Sequence, residues 1–300
     1  MQLNESPFHA GELEAQKRAG ADDIASRAAP FIRDYMPEQH RRFYAAQPFL
    51  VMASSDADDR IWATIVEGAD GFIHSPDPQR LVLSTEIDPQ DPLASRLAEG
   101  ADVGVVGIEL ATRRRNRLSG RTRRTDDGFA IDVRQTFGNC PRYINKRDWW
   151  RVDQARHRFA MTSDSLNPEQ IARIGVADTF FIGSGQRAAN ETASNGFDAS
   201  HRGGEPGFVQ VISSAHLRVP DYSGNNFFNT IGNLLENPRI GLLFVDFATG
   251  GLLHVSGQAE IDWEPSEADD PSVHRVIDVT IDNVIDRPEA LSLRWSDDPS

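Results

Sequence analysis

Met36–Ser54 reads MPEQHRRFYAAQPFLVMAS, and Asn167–Gly185 reads NPEQIARIGVADTFFIGSG. Pro37, Glu38, Gln39, Arg42, Ala46 and Phe49 fall on Pro168, Glu169, Gln170, Arg173, Ala177 and Phe180 at one offset of 131. Each stretch opens with a proline, which a first helical turn tolerates, and closes on an apolar run of β-favouring residues. An offset that holds across a helix signal and a strand signal points to duplication of a whole domain. The match resumes at an offset of 136, where Gly68, Gly71, Phe72 and Leu81 fall on Gly204, Gly207, Phe208 and Leu217. At 137, Leu97, Glu99, Gly104, Ser119 and Gly120 fall on Leu234, Glu236, Gly241, Ser256 and Gly257. Alternating apolar residues mark a further strand in each copy, at Phe129, Ile131 and Val133 and at Ile277, Val279 and Ile281. Strands joined by turns, with few and short helices, predict a mainly β fold, an antiparallel barrel or sandwich in each copy.

The expected organisation is a helical, Ala-rich arm over residues 1–35, a first repeat over 36–150 and a second over 165–296. The arm carries no chemistry in this reading and is free to pack on a partner. The acidic stretch Glu264 to Asp270 is expected to be an exposed loop. The chain has 300 residues, 39% of them hydrophobic, enough for a core in each repeat. No apolar run approaches a membrane span, and the N-terminus lacks the basic start and apolar stretch of a secretory signal. A cytoplasmic protein that does not engage membranes is the expectation. The net charge of −14 argues against nucleic acid as a partner. Cys140 is the only cysteine, and the eight histidines are scattered without ligand spacing, so no metal site is expected.

The motifs of hydrolases, zinc proteases, P-loop NTPases and dinucleotide-binding folds are missing. Three segments carry chemistry instead. Arg113, Arg114, Arg115, Arg117, Arg121, Arg123 and Arg124 crowd twelve positions of an acidic chain; they form either a solvated face or an anion subsite. In SHRGGEPGFVQV, Ser200 to Val211, glycines let the backbone approach a flat ligand, and His201 and Arg202 supply donors at the turn. In PDYSGNNFFNTIGNLLENPR, Pro220 to Arg239, Asn225, Asn226, Asn229 and Thr230 crowd a helix start. Free N–H groups and the helix dipole favour an anion such as phosphate there. Capping and turn formation account for some of these amides, but four donors in six positions exceed what one cap uses.

HRGGEPGF, DYSGNNFFNTIGNLLENPRIGLLF and the later SGQAEI, with PEQHRRFYAAQPFLVMAS, GFIHSPDP and QTFGNCPRYI in the first copy, resemble the pyridoxamine 5'-phosphate oxidase-like family of FMN-binding split barrels, tandem members included. The resemblance implies two tandem Greek-key split barrels, mainly β with short helices, paired as a pseudo-dimer with FMN at their interface. It implies that Asn225 to Thr230 hold the FMN phosphate and that the strands from Ser200 to Gln210 run along the flavin. It places Arg115 against the phosphate or the ring. It further implies an FMN-dependent oxidoreductase acting on a small organic substrate, with NAD(P)H or an external reductase as electron source, and it allows a homodimer. The alternative is a noncatalytic flavin- or haem-binding split barrel. True pyridoxamine phosphate oxidases carry an Arg-Lys pair where this chain has Asn229 and Thr230, which sets pyridoxamine phosphate itself apart as substrate.

The copies differ where a cofactor would sit. The first has EIDPQDPLASRLAEG in place of the Asn-rich segment, and QTFGNCPRYI, Gln135 to Ile144, is read as having no counterpart after Val279. One composite FMN site per chain is therefore expected. The second copy would give Ser200, His201, Arg202, Gln210, Asn225, Asn226, Asn229 and Thr230, and the first Arg115, Gln135, Asn139, Cys140 and Tyr143. No base accompanies Cys140, so packing beside the cofactor is its expected role rather than catalysis. His201 or Tyr143 would serve if a general acid or base is required.

Overall fold

The computed structural model describes residues 6–153, 159–185, 194–265 and 272–296, so most of the acidic stretch after Glu264 lies outside the described residues. Helices α1 (Ala10–Arg18) and α2 (Asp22–Ala28) and a 3-10 turn (Ala29–Phe31) form the arm. The first repeat contains α3 (Glu38–Ala45), β1 (Phe49–Ser55), β2 (Ile61–Glu67), β3 (Ile73–Asp77), β4 (Arg80–Leu83), α4 (Ala94–Glu99), β5 (Asp102–Glu109), β6 (Arg114–Thr125) and β7 (Gly128–Gly138). Short strands β8 (Trp149–Arg151) and β9 (Met161–Ser163) follow. The second repeat contains α5 (Pro168–Val176), β10 (Thr179–Gly185), β11 (Phe197–Gly203), β12 (Gln210–Ser213), β13 (His216–Tyr222), α6 (Asn229–Glu236), β14 (Arg239–Asp246), β15 (Gly251–Asp262) and β16 (Val273–Arg287), and β17 (Leu293–Trp295) closes the described chain. The fold is mainly β, as expected. Among the described residues no helix is long and apolar enough to cross a membrane.

Local signals account for the helices that frame each repeat. Asn167 and Gln170 form a capping box around Pro168 at the start of α5. Asn237, forced into extended geometry by Pro238, ends α6.

The two large sheets are antiparallel and share one strand order. The first runs β2-β1-β5-β6-β7-β4-β3 and the second β11-β10-β14-β15-β16-β13-β12, each strand answering to the one nine places later. The shared Ser-Gly pairs explain themselves here: the register shifts between Ser119 and Gly120 in one sheet and between Ser256 and Gly257 in the other. One expectation needs correction. Ala53 pairs with Gly104 as Gly183 pairs with Gly241, so the strand offset is 130 and Phe49 answers to Thr179 rather than Phe180. Side chains alternate between faces, and a one-residue slip would exchange core for interface. Leu50 and Met52 fill the first barrel as Phe180 and Ile182 fill the second, while Val51 and Phe181 meet in the core between them.

That shared core lies on a pseudo-two-fold axis. β5 packs on β11, and β14 packs on β2 in the exchanged relation; β6 reaches β11 as β15 reaches β2. The crossing is close enough to exclude a side chain. A Cβ on Gly104 would stand 2.3 Å from the Asp198 Cα, and one on Gly241 would stand 2.7 Å from the Ile61 carbonyl oxygen. The arm packs on the chain's own second repeat. A Cβ on Gly11 of α1 would meet the Gly232 carbonyl oxygen of α6 at 2.2 Å, while Phe8, Ala25 and Ile32 bury against Phe137 and Phe227.

Gly104→Ala and Gly241→Ala should each destabilise the chain by about 1–3 kcal/mol, because rigid backbone faces the added methyl. Gly175→Ala, in α5 with open space around it, should stabilise by roughly 0.5 kcal/mol. Denaturant midpoints measure all three, and equal midpoints for Gly104→Ala and Gly175→Ala would contradict the close crossing.

Candidate functional site

The β5–β11 crossing carries β6 of the first repeat to the second. Arg115 and Arg117 are two apart on β6 and share a face. Together with Asn139, just beyond β7, they line a cavity of about 90 Å³ whose other walls are Ser200, His201 and Arg202 on β11, Asp221 and Tyr222 at the end of β13, and the segment Gly224–Ile231 leading into α6. Both repeats meet directly across it: the Asn225 side-chain amide donates to Asn139 Oδ1 at 3.0 Å.

The cavity holds more positive than negative charge. Arg117 donates to Asp198 at 3.1 Å, and Asp221 is shared between Arg202 at 2.9 Å and Arg275 at 2.8 Å. Among the described residues Arg115 donates only to neutral acceptors, the Cys140 carbonyl and His201 Nδ1, both at 3.0 Å. Burial, reinforced by Arg117 and Arg202, pushes its pKa down to about 10. Burial, then the charges of Arg115, Arg202 and Arg147, hold His201 well below the usual imidazole range. A guanidinium can only donate, so His201 Nδ1 accepts and the neutral ring carries its proton on Nε2. Among the described residues that Nε2 is buried without a partner, as are Arg117 Nε and Arg202 Nε. A further carboxyl, Glu12 of α1, accepts from Asn229 and is held well above its ordinary pKa by burial and then by Asp198.

Helix α6 points its N-terminus at the same cavity. Its N-cap, Phe228, has no side chain able to cap it and is left-handed at a φ of 61°. Asn226 shares that φ. Left-handed non-glycine residues cost of order 1–3 kcal/mol and cluster at ligand-holding segments. Uncapped N–H groups, a helix dipole and surplus arginines make one anion-binding concavity.

Of the residues expected here, Arg115, Asn139, Ser200, His201, Arg202, Asn225, Asn226, Asn229 and Thr230 line the cavity. Asn229 is already engaged, accepting from Arg117 and donating to Glu12, and Ser200 Oγ lies 3.2 Å from Thr230 Oγ1. Gln135, Gln210, Cys140 and Tyr143 are outside its lining. Gln135 gives its amide to the Pro7 carbonyl, Gln210 is exposed at the start of β12, Cys140 contributes its carbonyl, and Tyr143 stacks on Tyr222 at 5.3 Å. His201 and Arg202 sit within β11, paired to Phe181 and Phe180, so the glycine turn begins after them and not at them. Sequence reasoning named Arg117 only within the arginine run, and it missed Asp221 and Arg275. The i, i+2 spacing of Arg115 and Arg117 on a strand was the available signal for Arg117.

The pseudo-symmetric twin of this site is closed. By strand pairing Ser200 answers to Thr64, His201 to Ile65, Arg202 to Val66, Arg115 to Leu252, Arg117 to His254 and Asn139 to Arg287. The segment after Val279 therefore does have a counterpart in Gln135–Asn139, in register though not in residue type. Arg287 is 3% exposed and donates to Asp91 at 2.6 Å and Asp88 at 3.0 Å, both from the stretch that replaces the Asn-rich loop. Thr64 donates to Asp91 as well. An internal ion pair and apolar side chains occupy the twin position.

Residues 36–162 match the family model for pyridoxamine 5'-phosphate oxidase. The match falls on the first repeat, and the second shares its strand order. Similar solved structures are a putative pyridoxamine 5'-phosphate oxidase from Lactobacillus delbrueckii (14% identity, 41% of this chain and 94% of that one, TM-score 0.33), HupZ from Group A Streptococcus (13%, 39% and 90%, 0.31), and an FAD-binding protein from Mesorhizobium loti (13%, 43% and 97%, 0.27). No curated protein matches the chain.

Burial, aided by Arg287 and opposed by Asp91, lowers the His254 pKa from 6.5 to about 4. The unfolded ring takes up its proton near pH 6.5 and the folded one only near 4, so the stability it contributes is complete above the first value and lost as pH falls toward the second. Denaturant midpoints should drop across that window, and His254→Gln should make the drop shallower; an unchanged slope would remove His254 from the account.

Proposed function

We propose that the chain is an FMN-dependent oxidoreductase with one flavin site, built between repeats at 36–150 and 165–296 and backed by the arm of residues 1–35. The observation that carries this reading is the buried Arg115, surrounded by neutral acceptors and two further arginines at the uncapped start of α6. A phosphate dianion answers that surplus. Arg115 and Arg117, from the first repeat, supply the positive charge that Asn229 and Thr230 do not, which compensates for the missing Arg-Lys pair. His201 Nε2–H and the Arg202 Nε–H offer the remaining donors, and the Tyr143–Tyr222 stack gives an aromatic wall beside them.

A cavity of about 90 Å³ suits a phosphate and is too small for a whole flavin nucleotide. The remainder has room in an adjoining cavity of about 700 Å³, which shares Arg115 and Asn139 with the first. Bound FMN would supply reversible two-electron chemistry. The chain's own residues neutralise the phosphate, hold a neutral imidazole donor in place and keep water from the arginines. NAD(P)H or an external reductase and a small organic molecule are the proposed redox partners, in the cytoplasm.

Full-length protein incubated with FMN should retain one flavin per chain, bleached by NADH or NADPH under anaerobic conditions. Arg115→Met should weaken FMN binding roughly tenfold to a hundredfold, the worth of a charge-assisted phosphate contact. Two flavins per chain would contradict the closed twin site. A Soret band in place of flavin absorbance would favour a haem-binding split barrel, and flavin that neither nucleotide reduces would favour a noncatalytic carrier.

A further inference from the structure

A separate cavity of about 270 Å³ lies where the end of α3 and the start of β1 meet the short β8–β17 sheet. It has only Ala46 in common with the cavity assigned above to the body of the flavin. Phe49 and Leu110 line it as buried apolar groups, and Trp295 stands edge-on to Phe49 at 5.5 Å. Trp149 lines it too, with 42% of its surface exposed. Backbone pairing with Trp295 and the Arg151 guanidinium 5.5 Å from the ring centre hold that indole in place. The polar groups of the lining are chiefly acceptors. Gln47 is 5% exposed, and its amide nitrogen donates to the Phe43 carbonyl at 2.8 Å. That bond sets which way the amide faces, and Oε1 is left buried with no partner among the described residues. Glu109 and Asp148 add carboxylates. Glu109 is paired with Arg114, whereas Asp148 is exposed and pairs with no cation among the described residues. Arg147, which also lines the cavity, is already paired with Asp178 at 2.9 Å. Gln47 and Phe49 answer to Ala177 and Thr179 in the second repeat, so neither the buried amide nor the aromatic ring is repeated there.

We infer that this cavity binds a small aromatic amine, with its ring system against Trp149 and Trp295, an N–H donating to Gln47 Oε1 and a cationic amino group beside Asp148. The volume suits one or two fused rings and is too small for a nucleotide. Indole faces attract both flat rings and cations. A buried acceptor without a donor is costly, and a ligand N–H removes that cost. A lining of acceptors and carboxylates rejects anions, which sets this site apart from the arginine-rich phosphate cavity. Nothing in it depends on bound flavin, since no residue of the phosphate cavity takes part.

The test titrates full-length protein with tryptamine by calorimetry, once as purified and once with saturating FMN. Tryptamine carries the ring system, the ring N–H and the cationic amine, and indole-3-acetate reverses the charge on the same ring. Tryptamine should bind at one equivalent with the same affinity in both states, and indole-3-acetate at least roughly tenfold more weakly. Trp149→Ala should weaken tryptamine binding at least roughly tenfold, and Gln47→Met roughly threefold to tenfold. Asp148→Asn should narrow the gap between the two ligands. Trp150→Ala, on the opposite face of β8, should bind as the wild type does. Asp148 and Trp149 are exposed, so their variants report on the site whether or not the buried Gln47→Met variant folds. No tryptamine binding by the wild type overturns the inference, as does equal affinity in Trp149→Ala and the wild type. Equal affinity for the two ligands, or displacement of tryptamine by FMN, overturns it as well.

Discussion

The close crossing of backbones at Gly104 and Gly241 is the contact on which everything else rests. β5 lies against β11, and β14 against β2, at a separation that admits no side chain. Strand pairing then carries the neighbours inward: β6 follows β5, so Arg115 and Arg117 arrive beside His201 and Asp198. Neither barrel could build that cavity by itself. The interface supplies both the stability of the pair and the meeting place of the charges.

A symmetric frame offers two such places, and the chain treats them in opposite ways. On one side the crossing collects arginines, an uncapped helix and a neutral histidine with an unpartnered N–H. On the other, Leu252, Ile65 and Val66 replace Arg115, His201 and Arg202, and Arg287 is neutralised by Asp88 and Asp91. A buried arginine is tolerable when carboxylates pair it. Arg115 has none among the described residues and meets neutral acceptors instead.

Much of this was legible in the chain. The repeat, its strand pattern and the Asn-rich helix start were all readable, because periodicity and turn chemistry are local. The errors have local causes too. Phe49 and Phe180 are both apolar, so composition aligned them, although they face opposite sides of their strands. The glycines of HRGGEPG drew His201 and Arg202 into a turn that begins only after β11. Gln135 fell to the arm, whose Pro7 carbonyl takes its amide. Nothing in AGELEAQKR announced that Glu12 would be buried behind Asn229, since that depends on two glycines, Gly11 and Gly232, meeting across helices more than two hundred residues apart.

By itself the sequence determined that there are two copies of one β module, where their strands and short helices lie, and that the copies diverge at Asn225–Thr230 and around Asn139. Alternation of side chains and the preferences of proline, asparagine and glycine are short-range effects and survive in a linear reading. Only the tertiary structure decided which divergent residues meet, which arginines are paired and which twin is closed. Those outcomes depend on distance and burial, and a charge has no defined partner or desolvation cost until the chain has folded around it.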